Sequence, residues 1–259
     1  MAGTMPHAIF VETGIDDGST VAAYAAELPG CAVFAASDSE ATNEMPRRVA
    51  RFVDWLRAAG EEAPTFVGDN WYEVERAAVA DGTRAAFSLD DLPPGDDEFD
   101  RYLHWLELAR EVLADRLDEA GAAVPKGALK RIAQQDLLLA AQLGAAPHKL
   151  KGEPIDRLYE ARDLLTAALE SAGAMGDGVR RAVRLAIADD LRLADQLQGA
   201  ASRSLHPARS GSGTPATGRS PRRGAPLPGP RCGPSRTPYP SARAGRLRSS
   251  PETGARGRC

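Results

Sequence analysis

Apolar and polar positions divide the chain at about residue 92. Three short runs, "HAIFVE" (7–12), "TVAAYAAEL" (20–28) and "CAVFAA" (31–36), carry charge only near their ends and are separated by "TGIDDGS" and "PG". Such runs between turn formers predict strands. The spacing then changes. Ala41, Met45, Val49, Phe52, Val53 and Leu56 recur every three or four residues, which predicts a helix with one apolar face. Ser37 stands where an N-cap belongs, with Glu40 three residues on, and Gly60 is a natural stop. Pro46 falls inside the pattern and predicts a kink or a restart. "TFVGDNWYEVERAAV" (65–79) reads as a returning strand, "AAFSLDD" (85–91) as a weaker one, and "DDLPPGDDE" (90–98) as a linker.

Beyond the linker the helical period takes over. Four amphipathic helices are expected at about 98–120, 126–144, 154–172 and 177–198, broken by "AGAAVP", "GAAPHKLKGEP" and "GAMGDG". Together they predict a four-helix bundle. Its two hairpins share a pattern. Ala109-Arg110, Leu113 and Leu117 match Ala161-Arg162, Leu165 and Leu169. Asp136, Leu137, Leu139, Ala140, Gln142 and Leu143 match Asp190, Leu191, Leu193, Ala194, Gln196 and Leu197. The match reads as a duplicated helical hairpin.

From about Ala200 the chain is mostly Arg, Pro, Gly, Ser and Ala, without Val, Ile or Phe. This composition builds no core, so residues 200–259 are expected to be disordered. It is also what a GC-rich gene yields when read out of frame. The expected organisation is thus an α+β domain over 1–92, an all-α bundle over 98–199, and the tail.

Charge follows the same division. The formal net charge of −4 combines twelve Arg, one acid and no Lys after residue 199, a net of +11, with −15 on residues 1–199. An acidic body suits a basic protein partner and disfavours nucleic acid. The basic tail is the one segment with the charge to bind RNA, a second alternative for function. No apolar run reaches the ~18 residues of a membrane span, so no membrane is expected. The start, "MAGTMPHAIFVETG", lacks the pattern of a secretory leader. Three scattered cysteines, Cys31, Cys232 and Cys259, form no disulfide framework. A cytoplasmic protein is expected.

Chemistry-bearing residues are few. Cys31, in the corner Leu28-Pro29-Gly30-Cys31, has no histidine nearby in sequence and reads as a packing residue. Asp100, His104, Glu107 and Glu111 share one side of a helix and could bind a divalent ion, but that side faces away from the apolar stripe and reads as solvated. Arg110, Asp136, Arg162 and Asp190 fall inside apolar stripes. Charges there must pair, so they read as buried ion pairs, with an active-site cluster as the other reading. Trp55, Trp71, Tyr102 and Trp105 read as packing between core layers rather than as base-stacking platforms.

Two resemblances refine these expectations. "YAAELPGC" (24–31) followed by "SDSEATNEMPRRVARFVDWL" (37–56) resembles the HicB-like antitoxin domain over roughly residues 7–75. The resemblance implies a small, degenerate ribonuclease-H-like sheet with one helix, no nuclease carboxylates, and a basic RNA-cleaving toxin as partner. "YLHWLELAREVLADRL" and "LKRIAQQDLLLAAQL" resemble the DinB-like superfamily over roughly 98–199. There the resemblance implies a metal-binding histidine five residues before the acid Asp136, a place Arg131 occupies, and a histidine pair in the fourth helix, which has none. It therefore implies the bundle without the metal. The sequence reading is a non-catalytic, antitoxin-like interaction protein with no cofactor. The alternative is a metal-dependent thiol transferase of the DinB type, with Asp136 and Asp190 as a carboxylate-only site.

Overall fold

The computed structural model describes residues 7–63, 71–80 and 82–205. The expected tail, with Cys232, Cys259 and His206, lies outside them apart from residues 200–205. Strands β1 (His7–Ile15), β2 (Thr20–Ala25) and β3 (Ala32–Ala35) lead into helix α1 (Asp38–Ala58) and strand β4 (Trp71–Ala78). The sheet is open, in the order β3-β2-β1-β4. Strands β1, β2 and β3 run antiparallel, whereas β4 lies parallel to β1, since α1 carries the chain across the sheet before it returns. Helices α2 (Asp96–Ala120), α3 (Lys126–Gln142), α4 (Pro154–Ala172) and α5 (Val179–Leu205) make the bundle, with α2 against α5 and α3 against α4. A small sheet-plus-helix segment therefore precedes a four-helix bundle.

Helix α1 buries Ala41, Met45, Val49, Phe52, Val53 and Leu56, the face its spacing predicts. Ser37 Oγ accepts from the Glu40 N–H at 3.3 Å, satisfying one free donor of the first turn. The helix runs through Pro46 without a break. Residues 85–91 are not a strand. Ser88–Asp91 is a 3₁₀ turn, closed where the Asp90 carboxylate accepts from the Phe87 N–H at 2.9 Å. Nor is 90–98 a free linker, because Asp90 is buried and ion-paired to Arg184 at 2.5 Å. Helix α5 continues past 198 to Leu205.

One apolar core spans both parts. Ile9, Tyr24, Leu28 and Met45 belong to the same cluster as Phe99, Trp105, Leu165 and Ile187. Phe52 of α1 meets Trp105 of α2 edge-on at 6.1 Å, and the Trp105 indole N–H donates to Glu61 at 3.2 Å. A second cluster, including Leu113, Leu129, Leu158 and Leu197, fills the rest of the bundle.

The corner before β3 locks the sheet onto α5. Leu28, Pro29, Gly30 and Cys31 are all buried, and the Cys31 N–H donates to the Leu28 carbonyl at 2.9 Å. Gly30 has φ +84°, and a Cβ there would overlap the Ile187 side chain. A left-handed conformation and a close approach both require glycine. Gly30→Ala is expected to destabilise the chain by about 2–4 kcal/mol, from the combined backbone and overpacking terms. Urea unfolding measures this. Adding Ile187→Ala should restore the steric part only, and an unchanged midpoint in the single variant would show that the corner does not press on α5.

Candidate functional site

Helix α5 is buried all round from Ala182 to Leu191. Three charges in that stretch, Arg184, Asp189 and Asp190, must therefore find partners, and they do so in different directions.

Arg184 and Asp189 face the sheet. The Arg84 guanidinium donates Nε and Nη2 to Glu12 at 2.9 and 3.0 Å, and Nη1 to Asp189 at 3.0 Å. The Tyr24 hydroxyl donates to Glu12 at 2.8 Å and accepts from Arg84. The Ala85 N–H adds a further bond to Glu12 at 2.6 Å. Burial works to raise the Glu12 carboxyl, but Arg84 and these hydrogen bonds outweigh it and hold its pKa below the ordinary value. Arg184 pairs with Asp90 and lies 4.7 Å from the ring centres of both Tyr24 and Phe87. Salt bridges and cation–π contacts thus rivet β1, β2, the 84–91 segment and α5 together.

Asp190 faces the bundle interior and forms an ion pair with Arg162 of α4, both nearly fully buried. Asp136 of α3 is buried too, but its carboxylate has no cation within 4.0 Å among the described residues. Arg110 is half-buried. It donates to the Thr166 hydroxyl and the Arg162 carbonyl rather than to Asp136. The repeat therefore produces one direct pair, in the second hairpin. Burial, reinforced by the Asp190 charge and opposed by Arg162 and Arg110, pushes the Asp136 carboxyl up to about 7.

The remaining candidates stand apart. Cys31 is fully buried, and burial pushes its thiol up to about 12, the wrong direction for a nucleophile. Asp100, Glu107 and Glu111 are exposed. His104 is exposed as well, 3.2 Å from Glu61 and 3.6 Å from Glu107. His148 is bound to Glu160 at 2.6 Å. Among the described residues, no group of three or more His, Cys, Asp or Glu is placed to hold a metal ion. Where the DinB-like pattern would put a ligand, Arg131 is cationic, and Asp190 is engaged by Arg162. These residues do not fit a divalent metal.

A solvent-open cavity of about 780 Å³ lies between the β1–β2 turn, the end of β4, α3 and α5. Its floor includes Arg84 and Asp189. The turn overhangs it with Asp16 and Asp17 at φ 50° and 60°, sparsely populated for residues with a side chain. Asp16 is held there by Arg192 at 2.5 Å and by the Thr20 hydroxyl at 3.2 Å. Sequence reasoning missed both the rivet and the cavity. Ten consecutive buried positions in α5, three of them charged, were the available signal for the first.

No family model, no curated protein and no solved structure matches this chain. Its class is accordingly set by the fold and the site alone. It is an open four-stranded sheet with one helix, joined through a shared core and a buried charge network to a four-helix bundle.

Proposed function

We propose that the chain is a non-catalytic, antitoxin-like interaction protein whose acidic body binds a basic protein partner. One observation carries the reading. Asp97, Asp100, Glu107, Glu111, Asp115 and Asp118 recur at three- and four-residue steps along the exposed side of α2, with His104 among them. The row spans about 30 Å at the rise of an α-helix. Apart from the Glu107–His104 contact, these acids have no salt-bridge partner among the described residues. Like charges one turn apart weaken a helix by a few tenths of a kcal/mol per pair. A helix that keeps such a row unpaired presents a field suited to steering a cationic surface.

The α+β part supports the same reading, since a small sheet with one helix is what the HicB-like resemblance implies. On this reading the sheet is a degenerate ribonuclease-H-like one and the bundle is DinB-like with its metal chemistry lost. A buried, protonated thiol at Cys31 suits a reducing cytoplasm.

The test neutralises the row. A variant carrying Asp100→Asn, Glu107→Gln, Glu111→Gln and Asp115→Asn is expected to melt no lower than the parent, because it removes like-charge repulsion at the cost of one exposed contact, Glu107 with His104 at 3.6 Å. Immobilised parent should retain a basic protein from an extract of the source cells, with retention falling as salt rises. The variant should lose that protein. Equal retention by both would refute the reading.

A further inference from the structure

We propose that the cavity between the β1–β2 turn, α3 and α5 binds a short zwitterionic peptide, a di- or tripeptide with an apolar side chain. This goes beyond the docking role above and uses none of the α2 residues. The argument starts from the charges in the cavity lining. Six of its residues are ionisable: Asp16, Asp17, Asp189, Arg84, Arg131 and Arg192. Two pairs are in direct contact, Asp189 with Arg84 at 3.0 Å and Asp16 with Arg192 at 2.5 Å, Arg84 being shared with the buried Glu12, which is not part of the lining. One exposed charge of each sign has no such close pair. Arg131 is exposed and among the described residues pairs only with Asp16, at 4.0 Å, an acid already satisfied by Arg192. Asp17 is exposed and makes no ion pair or hydrogen bond among the described residues.

A ligand with a single net charge would match one of these and repel the other. A zwitterion matches both, with its carboxylate on the Arg131 fork and its ammonium on Asp17. The uncharged lining extends the match. Gln134, Gln135 and Gln196 line the cavity, with no hydrogen bond within the described protein to occupy their carboxamides. A carboxamide offers both a donor and an acceptor, the complement of a peptide bond. Between these polar groups stands Leu138 of α3, 43% exposed, beside the buried Leu193 and Ile132, which also line the cavity. It gives an apolar side chain a surface to cover. The volume lies within the range of roughly 300–1,000 Å³ typical of small-ligand sites. The strained Asp16–Asp17 turn, fixed by Arg192 and Thr20, places Asp17 at the rim before any ligand arrives.

The test is a calorimetric titration of the full chain with the tripeptide Leu-Ala-Leu, its N-acetyl form and its C-terminal amide. The free peptide should bind saturably, and each capped form about tenfold more weakly, the loss of one charge-assisted contact. Arg131→Gln should then bind the free peptide and its amide equally. Asp17→Asn, which tolerates the left-handed backbone, should bind the free and acetylated forms equally. The capped peptides test the site on the unaltered protein, so the outcome does not hang on how a variant folds. The proposal is overturned if Leu-Ala-Leu shows no saturable binding below about 10 mM, a level at which even weak complexes register. It is equally overturned if both caps leave affinity unchanged, or if both variants discriminate among the three peptides as the parent does. Since α2 takes no part, failure here leaves the docking role intact, and failure of the α2 variant to lose its partner leaves this site intact.

Discussion

Replacing Arg84 by methionine is expected to destabilise the chain by about 3–5 kcal/mol at neutral pH, the usual consequence of removing one partner from a buried ionic network. Arg84 is 9% exposed and its guanidinium serves Glu12, Asp189 and Tyr24 at once. Methionine fills similar space but leaves two buried carboxylates facing one another without their common cation. The pH dependence identifies the cause. The Glu12 carboxyl lies below its ordinary value of 4.5 in the folded parent, so its contribution is fully present above that value and is lost as pH falls through the depressed folded pKa. In Arg84→Met the guanidinium is gone, burial acts unopposed by it, and the carboxyl should take up its proton at higher pH. The gap between parent and variant in chemical denaturation should therefore narrow as pH falls, beginning where the variant's carboxyl takes up its proton and continuing below about 4.5, where the parent loses its own contribution. A gap that stays constant down to the acid limit would mean that the loss is one of packing alone. Glu12→Gln provides a second arm. It keeps an acceptor for the Ala85 N–H and removes the charge, so combining it with Arg84→Met should cost less than the two single changes added.

What was legible in the sequence was local and periodic. The buried face of α1 coincides with the apolar positions read from spacing, because an amphipathic helix has one way to hide them. The Leu28-Pro29-Gly30-Cys31 corner was legible because proline and glycine restrict the backbone whatever surrounds them. The 85–91 segment was misread for the opposite reason. Ala85, Ala86 and Phe87 carry the apolar content of a short strand, but Asp90 turns back on the Phe87 N–H and the chain closes into a 3₁₀ turn. Glu12 and Arg84 were not singled out, since each stands beside a turn and looks like an ordinary boundary charge. They meet across 72 residues of chain, and Arg84 meets Asp189 across 105. Nothing in a local pattern encodes such a meeting. The cavity is still less legible, as four separate elements assemble its lining. The four bundle charges were legible as a group, because each interrupts an apolar stripe. Their pairing was not, because the choice between Arg162 and Arg110 depends on helix rotation rather than on order along the chain.

That choice sets the second large effect. Asp190→Ala is expected to cost about 3–5 kcal/mol, because it strands the buried Arg162 guanidinium. Asp136→Asn is expected to behave in the opposite way. Burial raises both carboxyls above their ordinary value of 3.8, but Arg162 rests directly on Asp190, so Asp136 is the one that holds a proton up to about 7. The sign follows from linkage. Between 3.8 and about 7 the folded state binds a proton at Asp136 that the unfolded state has released, so this group's contribution to stability falls as pH rises through that window. Above about 7 the folded chain must hold an uncompensated carboxylate in its interior. An asparagine resembles the protonated acid and titrates nowhere in this range. Asp136→Asn should therefore exceed the parent modestly at pH 5, which already lies above the ordinary value of 3.8, and by more at pH 8, with a flatter stability profile between. Chemical denaturation of the parent and both variants at these two pH values decides the matter. A loss of several kcal/mol in Asp136→Asn at pH 8 would show instead that Asp136 is ionised in the fold, with Arg110 and Arg162 as its counter-charges.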